Sequence, residues 1–157
     1  MRAVLQRATH ARVFVDGAVV GQLDPTPGFV ILLGVGPADG VAEARLLADK
    51  IAGLRVFADA DDKINLSLRD VAGGALVVSQ FTLYADTRRG RRPGFTGAAA
   101  PDVAAPLVTC MMDELRALGV PTQGGRFGAH MQVDLINDGP FTIWLDTADW
   151  KPAQQPE

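Results

Sequence analysis

The stretch Gly73-Gly74-Ala75-Leu76-Val77-Val78-Ser79-Gln80-Phe81-Thr82-Leu83-Tyr84-Ala85-Asp86 decides how the chain is read. A Gly-Gly turn opens it and four small or branched apolar residues follow, the pattern of a strand buried on both faces. Ser79, Gln80 and Thr82 then bring hydroxyls and an amide onto a strand that has just been wholly apolar. Polar groups in or beside a core must find partners or cost roughly 1–3 kcal/mol each. Such a cluster predicts either a binding site or a strand end whose backbone amides need satisfying, and the residues alone leave both open.

Outward from that strand the chain alternates sheet and helix. Residues 2–8 and 12–15 predict strands, Asp16-Gly17 a hairpin turn, and 18–23 an antiparallel return; after a loop at 24–28, residues 29–35 predict a buried central strand. Asp39 is expected to cap a helix running to Ala52, with Val41, Ala44, Leu47, Ala48 and Ile51 as its apolar stripe, Arg45 and Asp49 paired outside, and Gly53 as its stop. A short strand at 54–57 precedes an acidic turn, Asp59-Ala60-Asp61-Asp62-Lys63, which lacks the glycine and distal glutamate of a calcium loop. Residues 87–100 form a long irregular segment of the kind that is often functional. Pro101 and Asp102 open a helix to Leu118, with Pro106 tolerable only near its first turn; strands are predicted at 120–125, 130–136 and 141–146. The expected whole is an α/β (α+β) domain over 1–147, mostly antiparallel with two helices covering one face, and a polar tail over 148–157.

Composition narrows the function. With 157 residues, 48% hydrophobic and 21% charged, the chain fits one soluble domain with a single sizeable core. No apolar run approaches the roughly 18 residues of a membrane span, and the start of the chain lacks a signal peptide's apolar core. The single cysteine, Cys110, rules out an internal disulfide and a zinc cage, so a reducing cytoplasm is expected. A net charge of −3 argues against a uniformly basic nucleic-acid binder, but Arg88, Arg89, Arg91 and Arg92 gather four of the fifteen basic residues. Such a focus suits a phosphate backbone or an ordinary solvated loop.

Familiar catalytic chemistry is missing from the sequence. His10 and His130 lie in no H-E-x-x-H or nucleophile-elbow context, and Cys110 sits mid-helix among Val108, Met111 and Met112, the setting of a packed thiol. Gly34-Val35-Gly36 is too short for a phosphate loop and Pro37 spoils its continuation. What remains is a site without a strong base, suited to a substrate that is already reactive and needs positioning and backbone dipoles.

A second motif, Asn137-Asp138-Gly139-Pro140-Phe141-Thr142, interrupts two good strands, and its Gly-Pro exposes bare carbonyls at close range. Ser79-Gln80-Phe81-Thr82-Leu83 and this segment together resemble the D-aminoacyl-tRNA deacylases, which carry S-Q-F-T-L and N-x-G-P-x-T. The likeness extends to Met1-Arg2-Ala3-Val4-Leu5-Gln6-Arg7, Asn65-Leu66-Ser67-Leu68, Gly90-Arg91-Arg92-Pro93 and Phe127-Gly128-Ala129. Gly94, Val108 and His130 depart from the family pattern, and none touches the two motifs.

The resemblance implies that family's fold, partly barrel-like, and a homodimer acting on aminoacyl-tRNA without cofactor or metal. Ser79, Gln80, Phe81 and Thr82 would hold the ester carbonyl and terminal adenosine, and Phe127 and Met131 would line the pocket. Gly139-Pro140, in cis, would reach from one subunit into the other's pocket and exclude L-aminoacyl groups, with Arg7 and Asn137 in support. Arg88, Arg89, Arg91 and Arg92 would meet phosphates of the acceptor end. The implied reaction is hydrolysis of D-aminoacyl-tRNA, and of glycyl-tRNA mischarged on tRNA(Ala), in translational proofreading. Two rival readings stay open: a Thr82 nucleophile acting on another ester, and a non-catalytic RNA-binding module working through the arginines.

Overall fold

The computed structural model describes residues 1–150, and the predicted tail beyond them lies outside the described residues. Strand β1 (Arg2–Val15) is continuous where the sequence predicts two strands. It is antiparallel to β8 (Gln132–Asp146) along nearly its whole length. Its other edge is shared: β3 (Gly28–Gly34) takes residues 2–8 and β2 (Ala18–Gln22) takes 12–15. Asp16 and Gly17 both have positive φ, 50° and 79°, the backbone of a tight hairpin that matches strand twist.

β3 then lies parallel to β6 (Gly74–Ser79), and β6 parallel to β7 (Thr122–Gly124). Each parallel step needs a crossover. The first contains α1 (Val41–Gly53) and a small hairpin of β4 (Arg55–Ala58) and β5 (Ile64–Ser67); the second contains α2 (Pro101–Ala117). The sheet order is β2-β1-β3-β6-β7, and its two ends approach each other. The Gln22 amide donates to Gln123 Oε1 at 3.0 Å, and a Cβ at Gly21 would stand 2.3 Å from the Gly124 carbonyl oxygen. The sheet is thus nearly closed into a barrel, with three antiparallel ladders against two parallel ones, and the β4–β5 hairpin forms a separate antiparallel pair.

The continuous apolar runs follow from this curl. Phe29, Ile31, Leu33, Ala75 and Val77 face the helices, where Leu47, Ile51, Met111 and Leu115 are buried. The alternate residues Val30, Leu76 and Val78 fill the inside of the curled sheet with Val13 and Leu23. A strand covered on both faces cannot show polar alternation, and each such side chain contributes roughly 1.5–3 kcal/mol by leaving water. Among the described residues no helix is long and apolar enough to cross a membrane.

Several local expectations are corrected. Arg45 does not pair with Asp49: its Nε meets Glu114 Oε1 at 2.9 Å, because α2 packs beside α1 and brings a carboxylate within reach. Asp39 does not cap α1, which starts at Val41 after Gly40. Its carboxylate instead accepts the Met1 ammonium at 2.7 Å and the Gly36 amide at 2.6 Å. Pro106 lies inside α2 beyond the first turn; it sits on the exposed face, where water can satisfy the carbonyl that its ring leaves without a donor. The folded part also passes the predicted boundary, because Thr147–Trp150 form a 3-10 turn and Trp150 packs against the core.

Candidate active site

The polar cluster stands where β6 stops. The sequence predicts a strand through Ser79 to Thr82, but the strand ends at Ser79 and Phe81–Tyr84 form a 3-10 turn. The Gln80 amide makes the last tie to β3, donating to the Leu33 carbonyl at 2.7 Å, and the Gln80 carbonyl accepts the Leu83 amide at 3.2 Å. The chain therefore bends at Gln80, and the first amides of the turn, Phe81 and Thr82, have no acceptor within it.

A cavity of about 420 Å³ opens beside this bend. Ser79, Gln80 and Phe81 form one wall, Phe95 and residues 98–101 with the start of α2 form another, and Phe127 and Gly128 a third. Leu33 and Val35 line it from β3 and its extension. The half-exposed Phe81 ring meets Phe95 edge-on, centroids 5.1 Å apart at 76°. The structure thus brings Ser79, Gln80, Phe81 and Phe127 together. It does not place Thr82 or Met131 in the lining. Thr82 is exposed, its hydroxyl accepting a hydrogen bond from Gln80 Nε2. Met131 packs on the barrel-interior cluster, its sulfur so close to Gly125 that a Cβ there would stand 2.5 Å away.

The second motif is a bulge in β8. Gln6 pairs with Thr142 and Ala8 with Asn137, so residues 138–141 loop out opposite Arg7. Its base is well braced. Arg7 Nε donates to the Asp138 carbonyl at 3.0 Å and Nη1 to the Val56 carbonyl at 2.7 Å, with the guanidinium 4.6 Å from the Phe141 ring centroid. Asn137 Oδ1 accepts the Phe141 amide at 2.9 Å, and Asn137 Nδ2 donates to Thr142 Oγ1 at 3.0 Å. The tip is different: Gly139 and Pro140, joined by a cis peptide, are exposed and line no part of their own chain's cavity. Gly139 has φ +147°, and a Cβ there would meet the Phe141 nitrogen at 2.6 Å, so only glycine fits.

The arginine segment is a loop closed by Asp86 and Gly94, whose backbones exchange hydrogen bonds of 2.7 and 2.9 Å. Arg88 forks onto Asp86 at 2.9 and 2.7 Å, and that guanidinium holds the Asp86 carboxyl well below the usual carboxylate range. Arg89, Arg91 and Arg92 are exposed and have no carboxylate partner among the described residues. Sequence reasoning missed Phe95 and the 98–101 wall. The available signal was that Phe95 is the one large apolar residue in the whole 87–100 segment.

The family model described as "D-Tyr-tRNA(Tyr) deacylase" matches residues 4–146, which takes in both motifs and every wall of the cavity. The chain belongs to the D-aminoacyl-tRNA deacylase family. A D-aminoacyl-tRNA deacylase of Roseiflexus castenholzii is 60% identical over 148 residues, covering 94% of this chain and 93% of the relative. One of Deinococcus radiodurans is 53% identical over 146 residues, covering 93% and 99%. A solved structure named "c-Myc DNA Unwinding Element Binding Protein" superposes with TM-score 0.87 at 36% identity, covering 98% of this chain and 100% of the other. A probable eukaryotic D-amino acid tRNA deacylase superposes at TM-score 0.75 over 92% of this chain and 97% of its own, with 19% identity, a likeness of fold. The family member described here is accordingly a D-aminoacyl-tRNA deacylase, a hydrolase.

Proposed function

We propose that this deacylase hydrolyses D-aminoacyl esters of tRNA, spares L-aminoacyl esters, and clears glycine mischarged on tRNA(Ala). One observation carries the reading: the amides of Phe81 and Thr82, which find no acceptor within the turn, stand at the bend beside a largely apolar cavity. Donors fixed in advance at that place stabilise negative charge on an ester carbonyl as water attacks. An aminoacyl ester is already reactive, so water assisted by the tRNA's own 2′-hydroxyl suffices. Ser79 and Gln80 hold the acyl and adenosine groups, and Thr82 acts as a positioning hydroxyl through Gln80. Phe127 walls the side-chain space, while Met131 lies outside it, packed on the barrel-interior cluster.

Selection by hand is assigned to Gly139 and Pro140. Their tip is exposed and outside the lining of the chain's own cavity, on a base stiffened by Arg7 and Asn137, which suits insertion into the cavity of a second copy. Backbone oxygens delivered there crowd the place of an L side chain and leave room for a D residue or glycine. The working unit in this reading is a homodimer in the cytoplasm. Arg89, Arg91 and Arg92 take acceptor-end phosphates, with Arg88 already committed to Asp86.

The test is hydrolysis of matched D- and L-tyrosyl-tRNA by the purified chain. Rapid release of D-tyrosine with the L-ester spared is expected; equal rates for the two would overturn the reading. The rival of a nucleic-acid binder without catalysis predicts salt-sensitive tRNA binding with the ester left intact.

A further inference from the structure

The Gly34-Val35-Gly36 segment, which is no phosphate loop, has another role that its contacts show. A Cβ added at Gly34 would stand 3.1 Å from the Gln80 carbonyl oxygen, 3.1 Å from Leu83 Cβ and 3.2 Å from Tyr84 Cε2. One added at Gly36 would stand 2.9 Å from the Tyr84 hydroxyl oxygen and 3.2 Å from Asp39 Oδ2. Both glycines are therefore bare where the 3-10 turn lies on them. The residues beside them serve the cavity: the Leu33 carbonyl accepts the Gln80 amide at 2.7 Å and the Val35 carbonyl accepts the Ala99 amide at 2.9 Å, one tie to each of two walls. The segment 33–36 is a shelf carrying the turn on alternate residues and the cavity on the others.

Two side chains hold the turn down on that shelf. Tyr84, its last residue, donates its hydroxyl to Asp39 Oδ2 at 3.3 Å, the oxygen that also takes the Gly36 amide at 2.6 Å. Arg2 lies with its guanidinium carbon 4.3 Å from the Tyr84 ring centroid. Arg2 Nη1 donates to the Leu83 carbonyl at 3.0 Å, and Nε is anchored on Asp146 Oδ2 at 2.9 Å. Neither residue lines the cavity. We infer that Tyr84 and Arg2 are positioning residues for the reaction, clamping the end of the turn onto the glycine shelf and thereby fixing the Phe81 and Thr82 amides against the ester carbonyl. This rests on the turn being the catalytic wall.

The test measures kcat and KM for D-tyrosyl-tRNA with the full chain and with Gly36→Ala, Arg2→Met, Tyr84→Phe and the Arg2→Met/Tyr84→Phe double variant. Rates are taken per binding-competent molecule, counted from the end point of a titration with deacylated tRNA. Gly36→Ala, which wedges the Tyr84 hydroxyl off its seat, and Arg2→Met should each lower kcat roughly tenfold with KM within about twofold, because small misplacement of reacting groups costs rate rather than affinity. The double variant should lose little more than the worse single one, since both act through one clamp. A residue needed only for folding would reduce the competent fraction and leave kcat per competent molecule unchanged, and that result would overturn the inference. Should Arg2→Met fail to fold, Tyr84→Phe removes a single oxygen and decides alone, with kcat about threefold lower expected and an unchanged kcat refuting the clamp. A wild-type chain that released no D-tyrosine would refute the underlying assignment instead, and this inference with it.

Discussion

The 3-10 turn after β6 and the bulge in β8 are both short interruptions of strands, yet they are held in different ways. The turn is gripped by its own chain along its length: Gln80 by Leu33, Leu83 by Arg2, Tyr84 by Asp39 and by the glycines beneath it. The bulge is gripped at its base, by Arg7 and Asn137, and its tip, Gly139 and Pro140, is exposed. Stiff support beneath an exposed tip is the arrangement of a part that works on another molecule. In the proposed reading the difference separates two tasks that a single pocket would otherwise have to combine: the turn would supply rate, and the bulge choice.

Breaking the tip should therefore spoil choice more than rate. Gly139→Ala introduces a Cβ 2.6 Å from the Phe141 nitrogen at a backbone angle that L residues avoid, so the bulge must rearrange. The ratio of D- to L-tyrosyl-tRNA hydrolysis should fall on the order of 100-fold, chiefly because the L-ester becomes a substrate. Parallel progress curves on the two esters check this, and an unchanged ratio would remove Gly139 from selection. Thr82→Ala addresses the turn from the other side. A positioning hydroxyl is worth about 1.4 kcal/mol, or roughly tenfold in kcat, with the D/L ratio unchanged. Complete loss of single-turnover release would make Thr82 a nucleophile.

How far the sequence revealed these two regions depends on how local their causes are. The buried strands β3 and β6 were readable because burial on both faces writes itself as an unbroken apolar run. The interruption at 137–142 was readable from its Gly-Pro, but the two strands predicted on either side of it are one strand, β8, with a bulge, because both parts pair with the same continuous β1. The bend at Gln80 was not, since it is set by Leu33 from another strand, and no pattern within 79–84 records that. The same holds for Asp39, whose side chain looks like a helix cap but is claimed by Met1, Gly36 and Tyr84. The parallel pairing of β3, β6 and β7 escaped for a related reason: short strands separated by helices give the order of elements, not the direction in which they meet. Phe95 and the 98–101 wall sit in a segment of Gly, Pro and Ala, where one aromatic is too little to predict a cavity.

Arg7 braces the base of the bulge rather than its tip and should show an intermediate effect. Its side chain ties the bulge to β4 through the Asp138 and Val56 carbonyls. Arg7→Met keeps the apolar stem against Phe141 and removes both bonds, at a cost of roughly 1–3 kcal/mol. For a domain of this size that lowers Tm by about 2–4 °C per kcal/mol. The D/L ratio should fall by roughly tenfold, less than for Gly139→Ala, because the tip keeps its own backbone while its base loosens. Thermal melts and the same paired assays check both parts.

The smallest effects belong to the arginine loop, and they distinguish its members. Each free guanidinium that meets a phosphate releases a counterion, so its loss lowers the slope of log K against log salt by about 0.7–0.9. Arg91→Gln should show that drop in tRNA binding, because Arg91 has no carboxylate partner among the described residues. Arg88 is paired with Asp86, and the pair carries no net charge toward the ligand. Arg88→Gln alone would uncover the Asp86 carboxylate and weaken binding by repulsion rather than by a lost contact. The double variant Asp86→Asn/Arg88→Gln removes both charges, and the asparagine oxygen can still accept the Arg88-position amide that Asp86 Oδ1 now accepts at 3.0 Å. Its salt slope should match that of the unmodified chain within experimental error. A slope reduced by about 1 in that double variant would mean that Arg88 leaves Asp86 on binding and joins the phosphate contacts, extending to the loop the division already seen between parts held for the fold and parts held free for the substrate.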